Sequence, residues 1–256
     1  TDCLRFLFCA CLSRTDVVDR LAALLETTGE RRIVDFASGS SGVIGPLVEE
    51  LTRRRIDVRA TLSDLYPQVA RWNRLSAEQP RIDFLTEPVD ARSPPSEPAG
   101  VRTMFSAFHH LRPACARAVL TDAARCGRPI AVFEVSERSV ATLATLLFMP
   151  LAVWLSTPFL RPFSLRRLVF TYLVPVVPAL VTWDGIASCF RTYSCRELRA
   201  LASELPAAGY RVDIGRRRVR GLPVAVLWLM AWPEPSGSAV APPAAAALQR
   251  LETSEI

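Results

Sequence analysis

The sequence predicts an α/β domain in which helices cover both faces of a doubly wound, mostly parallel sheet. Between residues 15 and 137, apolar runs typical of strands alternate five times with helical segments, and this alternation is typical of parallel sheets. The chain has 256 residues, of which 50% are apolar and 22% charged, enough for one large domain with a full hydrophobic core. A long uncharged stretch after the fifth strand interrupts the alternation and predicts a helical insertion.

Apolar runs and the residues that flank them place the individual elements. The first helix is predicted over VVDRLAALLETT, with Thr15-Asp16 as its N-cap and Gly29 as its stop. Five strands are predicted at 32–36, at 57–64, at 81–90, within GVRTMFSAFHHL and at 129–137, separated by helices at 43–54, PQVARWNRLSAE and PACARAVLTDAARCG. After the insertion, a helix at 194–208 precedes two strands, GYRVDIGR and 223–232, whose short connection predicts an antiparallel hairpin.

Composition divides the chain into four segments. Residues 1–138 contain the N-terminal helices and the first half of the predicted domain, and residues 139–183 form the apolar helical insertion. Residues 184–232 complete the domain, and the Pro/Ala-rich residues 233–256 are predicted to be a flexible tail.

Charge and cysteine usage disfavour several classes of function. The net charge is +6, but the arginines are scattered and no basic stripe is interleaved with aromatic residues, so no nucleic-acid partner is expected. Seven cysteines without a C-x-x-C pair and two adjacent histidines predict neither a disulfide framework nor a metal site. The sequence shows no signal-peptide pattern, and we expect a cytoplasmic protein with reduced thiols.

The turn after the first predicted strand is a candidate ligand site. It reads DFASGSSG, and its small residues let a ligand approach the backbone while the following helix adds favourable dipoles. Asp64 ends the second predicted strand roughly twenty residues later, where an acceptor for ribose hydroxyls is expected. Asp90 ends the third. Together with Asp35, these acids would converge at one edge of a parallel sheet.

Two classes of nucleotide ligand compete for this turn. A nicotinamide dinucleotide needs G-x-G-x-x-G around its pyrophosphate, whereas the turn has glycine only at Gly39 and Gly42, with Ala37 and Ser41 at neighbouring positions. The acidic surroundings favour a ligand that has no phosphate and carries a positive sulfonium.

These residues resemble the class I S-adenosylmethionine-dependent methyltransferases over residues 15–137 and 184–232. The first motif of that family, approximately D-x-G-x-G-x-G, stands here as Asp35, Ala37, Gly39 and Ser41, with Gly42 just beyond. The resemblance implies S-adenosylmethionine as cofactor and a seven-stranded sheet with an antiparallel last strand. It also implies one contact for each residue: the methionine amino group for Asp35, close backbone approach for Gly39, the ribose for Asp64 and the adenine amino group for Asp90.

The end of the fourth strand carries the candidate catalytic residues. His109 and His110 in FSAFHHL lie where this family commonly lines the methyl-transfer site, and imidazole titrates near neutrality, so either is a candidate general base. The alternative is that both cap or contact the next helix, because methyl transfer by in-line displacement often needs no base. Glu134 and Glu137, after the fifth strand, could orient the substrate, but we expect them to be surface or cap residues.

A polar cluster lies where the chain leaves the insertion. Asp184, Arg191 and Tyr193 belong to the segment WDGIASCFRTYS. They either close a substrate pocket or anchor the insertion on the domain, and the sequence favours neither interpretation.

The insertion is unusually apolar. Residues 139–160 and 168–183 contain no charge, and the first of these stretches is long enough to span a bilayer. A double span is disfavoured because it would carry Arg161, Arg166 and Arg167 across the membrane and because four prolines would break the helices. We expect a lid over an apolar substrate pocket that also contacts an anionic membrane surface; a purely buried cap is the alternative.

These observations predict a methyltransferase that acts on a small hydrophobic molecule at oxygen, nitrogen or carbon. Its predicted location is the cytoplasm, with membrane association through residues 139–182. The alternative function is a non-catalytic or repurposed protein of the same fold, docked on a membrane as a binding or partner protein.

Overall fold

A computed structural model describes residues 15–135, 137–159, 163–205, 208–219, 221 and 224–234. Almost all of the predicted C-terminal tail, residues 235–256, lies outside the described residues. The helices are α1 (Val17–Thr28), α2 (Ile44–Arg53), α3 (Val69–Glu78), α4 (Pro113–Arg125), α5 (Val140–Leu146), α6 (Met149–Ser156), α7 (Leu165–Leu168), α8 (Val176–Arg191) and α9 (Cys195–Leu201). The strands are β1 (Arg32–Asp35), β2 (Arg59–Leu62), β3 (Ile82–Phe84), β4 (Val101–Phe105), β5 (Ile130–Glu134), β6 (Tyr210–Arg218) and β7 (Ala225–Pro233).

The strands form one seven-stranded sheet in the order β3-β2-β1-β4-β5-β7-β6. Strands β1 to β5 pair in parallel, whereas β7 runs antiparallel to both of its neighbours. The predicted fold class, including the hairpin of the last two strands, is therefore confirmed. Asp35 pairs with Leu62 of β2 and with Thr103 of β4, so the carboxyl ends of these strands lie at one edge of the sheet.

Helices cover both faces of the sheet. Adjacent strand residues alternate between two apolar clusters, with Ile33 in one and Val34 in the other, as the strand geometry requires. The first cluster buries Leu24 of α1 and the second buries Leu120 of α4, and each such side chain contributes about 1.5–3 kcal/mol. Two packed faces hold the sheet edge, and the residues on it, in fixed positions.

The third strand is shorter than predicted. It ends at Phe84 rather than near residue 90, because the chain continues into a polar stretch with Pro88, which has no N–H to donate to a neighbouring strand. The loop nevertheless stays beside β2, since Val89 N donates to the carbonyl of Asp64 at 2.8 Å. Asp90 therefore follows a loop instead of ending a strand, but it still reaches the same sheet edge.

The insertion is helical, and its end differs from the boundary that composition predicts. Helix α8 is continuous from Val176 to Arg191, so the predicted boundary between residues 183 and 184 falls inside it. Helix α6 packs on α8, and Trp154 Nε1 of α6 donates to the carbonyl of Thr171 at 3.0 Å. The insertion therefore folds back on itself.

Two prolines of the insertion lie next to bends, Pro150 in the first turn of α6 and Pro175 at the N-cap of α8. Among the described residues, no single helix has both the length and the apolar composition needed to cross a membrane. Two bent pairs reach that length and composition together: Val140–Leu146 with Met149–Phe159, at 43°, and Leu165–Leu173 with Val176–Arg191, at 79°.

Candidate functional site

Asp35 lies at the end of β1, where the first motif begins. Its carboxyl group is buried and accepts hydrogen bonds from Ser38 Oγ at 2.7 Å and from Thr103 Oγ1 at 2.8 Å. Burial raises the pKa of Asp35 to about 7, against the lowering effect of the two hydroxyl groups, and the nearby Asp64 raises it further. The group therefore sits between its neutral and charged forms near pH 7, where a cationic ligand would favour the charged form.

The turn after β1 has the backbone shape of a glycine-rich loop. Ala37, Gly39 and Ser41 all have positive φ, at 54°, 49° and 54°, and these are the positions where the first motif of the methyltransferase family has glycine. A left-handed conformation costs a residue with a Cβ about 1–2 kcal/mol. The turn keeps this shape although two of the three residues are not glycine. Gly42 is buried just before α2.

Hydrogen bonds from β2 hold this turn in place. Ser38 N donates to the carbonyl of Ser63 at 3.0 Å, and Ser63 N donates to the carbonyl of Asp35 at 2.9 Å. Gly39 N donates to Asp64 Oδ2 at 2.8 Å. A Cβ built at Gly39 would meet no atom within 4 Å, so this part of the turn borders open space.

Asp64 has capacity for a further hydrogen bond. Its two carboxylate oxygens accept one backbone N–H each, from Gly39 and from Tyr66, and each oxygen has a second lone pair. The next two residues, Leu65 and Tyr66, are exposed by 47% and 79%. Leu65 and Tyr66 thus form an exposed apolar surface next to Asp64 in the chain, which the sequence alone did not indicate.

Asp90 completes the group of three acids. The hydrogen bond from Val89 N to the Asp64 carbonyl holds it beside the end of β2. Its carboxylate accepts from Arg92 Nε at 2.9 Å and from Arg92 N at 2.9 Å, and the Arg92 side chain is the main reason that the pKa of Asp90 is lowered. Backbone hydrogen bonds therefore bring the loop of Asp90 to the edge where Asp35 and Asp64 lie, and the Asp90 carboxylate is paired with Arg92.

A histidine–carboxylate pair lies at the ends of β4 and β5. His109 is in a 3-10 turn, Phe108–His110, and its Nδ1 donates to Glu134 Oε2 at 2.6 Å. Phe108 N and His109 N both donate to Glu134 Oε1, at 2.7 and 3.2 Å. The Nε2 atom of His109 is buried, and in the described part of the chain it has no hydrogen-bond partner.

Glu134 is thus a functional candidate, and the expectation that it lies at the surface is wrong, although it does accept from backbone N–H groups of the 3-10 turn as a cap would. Its side chain is buried against His109. The contact depends on how β4 and β5 pair, with Phe105 opposite Phe133, and no local sequence signal reveals that register. The Glu137 side chain is only 13% exposed and pairs with the more exposed Arg216 at 2.8 Å.

His110 faces the insertion. Its ring centroid is 4.2 Å from that of His109. Burial and the adjacent His109 lower the pKa of His110; Glu134 and Asp184 raise it, and Arg191 lowers it. Asp184 and Arg191, both predicted near the substrate, belong to α8, which packs on the 3-10 turn. The structure therefore brings these two charges close to His110.

Tyr193 makes the contacts of an anchor. Its hydroxyl donates to the carbonyl of Leu111 at 2.7 Å, and its ring lies 5.8 Å from that of Phe108, centroid to centroid. Cys189 Sγ, one turn earlier in α8, donates to the carbonyl of Glu137 at 3.1 Å. These contacts fix the end of the insertion on the domain, which is one of the two interpretations that the sequence left open.

Comparisons with known proteins rest on structure. No model of a protein family matches this sequence, and no curated protein matches it either. Many solved structures do match, among them the plantazolicin methyltransferase BpumL in complex with SAH, with a TM-score of 0.55 and 11% identity over 91% of this chain and 86% of that one.

Two other solved structures differ in how much of their own length this chain covers. A SAM-dependent methyltransferase from Aquifex aeolicus has a TM-score of 0.47 and 14% identity, over 85% of this chain and 92% of that one. The mitomycin 7-O-methyltransferase MmcR has a TM-score of 0.48 and 14% identity, over 83% of this chain. The chain spans about half of MmcR, 53% of its length.

The strand order, the antiparallel seventh strand and the positive-φ turn after β1 agree with the likeness to BpumL over nine-tenths of the chain. The chain has the fold of the class I S-adenosylmethionine-dependent methyltransferases.

Proposed function

We propose that this protein is an S-adenosylmethionine-dependent methyltransferase that acts on a small hydrophobic molecule, at oxygen, nitrogen or carbon. The observation that carries the proposal is the group of three acids, Asp35, Asp64 and Asp90, around a turn with the backbone shape of a glycine-rich loop. Such a site disfavours pyrophosphate, because carboxylates repel it, and favours a cation.

The residues present fit this cofactor. Asp35, with a pKa near neutrality, would pair with the methionine amino group, and the free lone pairs of Asp64 would accept from ribose hydroxyls. The exposed side chains of Leu65 and Tyr66 offer an apolar surface for a purine. When bound, S-adenosylmethionine supplies an electrophilic methyl group on a positive sulfonium.

The buried pair of His109 and Glu134 supports a role in proton removal from the acceptor. With Nδ1 donating to Glu134, the tautomer that carries its proton on Nδ1 presents Nε2 as an acceptor. Because Nε2 is buried and unpartnered among the described residues, it would accept a proton only from a substrate enclosed beside it. His110, next to α8, would then line the entrance together with Asp184 and Arg191.

The apolar insertion supports a hydrophobic substrate. It is anchored through Tyr193 and Cys189 beside the histidines, so its apolar helices would form one wall of the substrate pocket.

Calorimetric titration with S-adenosylmethionine and S-adenosylhomocysteine tests the cofactor assignment. Asp64→Asn is expected to weaken binding at least tenfold, about 1.4 kcal/mol, while the amide oxygen can still accept from Gly39 N and preserve the turn. Asp57→Asn is the matched control, because Asp57 precedes β2 at the opposite end of the same strand and its side chain is 77% exposed.

The outcomes separate the two functions considered. Micromolar binding that Asp64→Asn weakens and Asp57→Asn leaves unchanged supports the proposal. If the folded wild type binds neither compound, the methyltransferase assignment is wrong, and a non-catalytic protein of the same fold takes its place. If Asp64→Asn and Asp57→Asn lose the same affinity for the cofactor, the proposed site is also contradicted.

A further inference from the structure

Exposed apolar side chains are concentrated in the insertion. Of the twenty large hydrophobic residues that are exposed in the described part of the chain, eighteen lie between Val140 and Phe190. Several are almost fully exposed, including Phe159 at 81%, Phe163 at 75% and Leu173 at 78%. Monomeric proteins in water rarely expose large apolar patches, and those that exist commonly mark a contact surface.

These side chains do not point into the domain. The inward side of the insertion is a separate, narrow set of buried residues that includes Leu146, Val153 and Thr171. Internal hydrogen bonds close the insertion on itself, with Trp154 Nε1 donating to the Thr171 carbonyl and Tyr172 Oη donating to the Trp154 carbonyl at 2.5 Å. A purely buried cap is therefore excluded for the described helices, because their outer side remains exposed.

The charges of the insertion indicate what covers this surface. Residues 139–182 contain Arg161, Arg166 and Arg167 and no Asp or Glu, and Arg166 is exposed. A second copy of the chain would bring the same excess of positive charge to the contact, with no acid from residues 139–182 to pair with it, which disfavours self-association. An anionic lipid surface complements both the positive charge and the apolar side chains.

The exposed aromatic residues and the lengths of the helices also favour a membrane surface. Trp154, Tyr172 and Trp183 are each more than 40% exposed, and Trp and Tyr favour the boundary between headgroups and hydrocarbon. Two bent helix pairs have both the length and the apolar composition of a membrane segment, whereas no single described helix combines the two. This combination suits a segment that lies within one leaflet.

We propose that the insertion is a membrane-docking element, in which the exposed apolar side chains of its described helices lie in one leaflet of an anionic bilayer and Arg166 contacts lipid phosphates. The docking does not depend on methyl transfer, so it is tested separately from the cofactor site.

Flotation of the purified full chain with phosphatidylcholine vesicles, with and without phosphatidylglycerol, measures this docking. The wild type is expected to float with the anionic vesicles, and Phe163→Ser or Leu173→Ser to lower the partition coefficient about tenfold each. About three-quarters of each side chain is exposed, so either change removes little packing within the folded chain. Phe163→Leu, which stays apolar, is the matched control and should retain binding.

A second pair of variants tests whether the positive charge of the insertion contributes to vesicle binding. Arg166→Gln is expected to lower the partition coefficient on anionic vesicles about fivefold. Arg74→Gln makes the same charge change on α3, which packs against β3 at the far edge of the sheet, and should leave binding unchanged. Equal losses from the two changes would mean that net charge, and not the insertion, directs binding.

Three further results would also overturn the proposal. In the first, the folded wild type does not float with either type of vesicle. In the second, Phe163→Ser floats as well as the wild type. In the third, sedimentation shows that the wild type is a dimer, that Phe163→Ser dissociates it, and that neither protein binds vesicles. A second copy of the chain, and not a membrane, would then cover the apolar surface.

Discussion

The buried carboxyl of Asp35 links the stability of the fold to pH. Its pKa rises from 3.8 to about 7 on folding, chiefly because burial disfavours the charged form. A carboxyl with a raised pKa in the folded state contributes stability that is fully present below its unfolded pKa and is lost as pH rises toward its folded pKa. The rise of about three units corresponds to about 4 kcal/mol at 1.36 kcal/mol per unit. Most of this loss, about 3 kcal/mol, falls between pH 4 and pH 7.

Replacing Asp35 by Asn isolates this effect. The amide does not titrate, its oxygen can accept from Thr103 Oγ1, and its NH₂ can donate to Ser38 Oγ, so the local hydrogen bonds persist. Urea unfolding of both proteins at pH 4.5, 6 and 7.5 gives the free energy of unfolding as a function of pH. Because all other titrating groups are shared, the difference between the two curves reports Asp35 alone.

The expected result is that Asp35→Asn gains stability relative to the wild type as pH rises, by about 2–3 kcal/mol across this range. Parallel curves would refute the reasoning, since they would mean that the Asp35 carboxyl titrates alike in the folded and unfolded chains. A wild-type curve that rises faster with pH than that of Asp35→Asn would reverse the sign and would show that the hydroxyl groups outweigh burial.

Three further predictions concern the same edge of the sheet. If a cationic ligand pairs with Asp35, the affinity for S-adenosylmethionine should increase about tenfold from pH 6 to pH 8, and calorimetry of Asp35→Asn should show no such increase. Ala37→Gly, at φ 54° and exposed, should raise the free energy of unfolding by about 0.5–1 kcal/mol after the entropy of glycine is subtracted; Ala118→Gly in the middle of α4 should lower it by a similar amount. Glu134→Gln should lower the free energy of unfolding by about 1–3 kcal/mol, because His109 Nδ1 and two buried backbone N–H groups lose a charged acceptor; an unchanged urea midpoint would contradict the buried pair.

The sequence predicted those parts of the fold that local periodicity determines. β1, α2 and β2 were placed within a few residues, because a buried apolar run, a turn of small residues and an amphipathic helix follow one another without ambiguity. Asp35 and Asp64 lie where the sequence placed them, at the end of β1 and two residues after β2, whereas Asp90 lies in a loop six residues after β3. The end of β3 was missed because the polar stretch before Pro88 still contains apolar residues that resemble a strand.

Contacts between distant segments were beyond the sequence analysis. The bond between His109 and Glu134 depends on the pairing of β4 with β5, and the hydroxyl of Thr103 meets Asp35 because β1 pairs with β4. Likewise, the composition changes at residue 184 although α8 continues to Arg191. Charge and apolar content describe a helix's environment, but they do not mark where its backbone hydrogen bonds end.

The turn after β1 shows how a site can keep its shape when its sequence changes. Ala37 and Ser41 hold the left-handed conformation at a cost of about 1–2 kcal/mol each. Bonds from Ser38 N to the Ser63 carbonyl, and from Gly39 N to Asp64, hold the loop from the neighbouring strand end. The turn is therefore ordered before any ligand arrives, and binding does not have to supply the entropy of ordering it. Asp64 consequently has two roles, as the acceptor that fixes the turn and as the proposed ribose ligand. Removing its side chain entirely should therefore cost more cofactor affinity than the loss of one ligand contact. Asp64→Asn keeps the hydrogen bond from Gly39 N and tests the ribose contact alone.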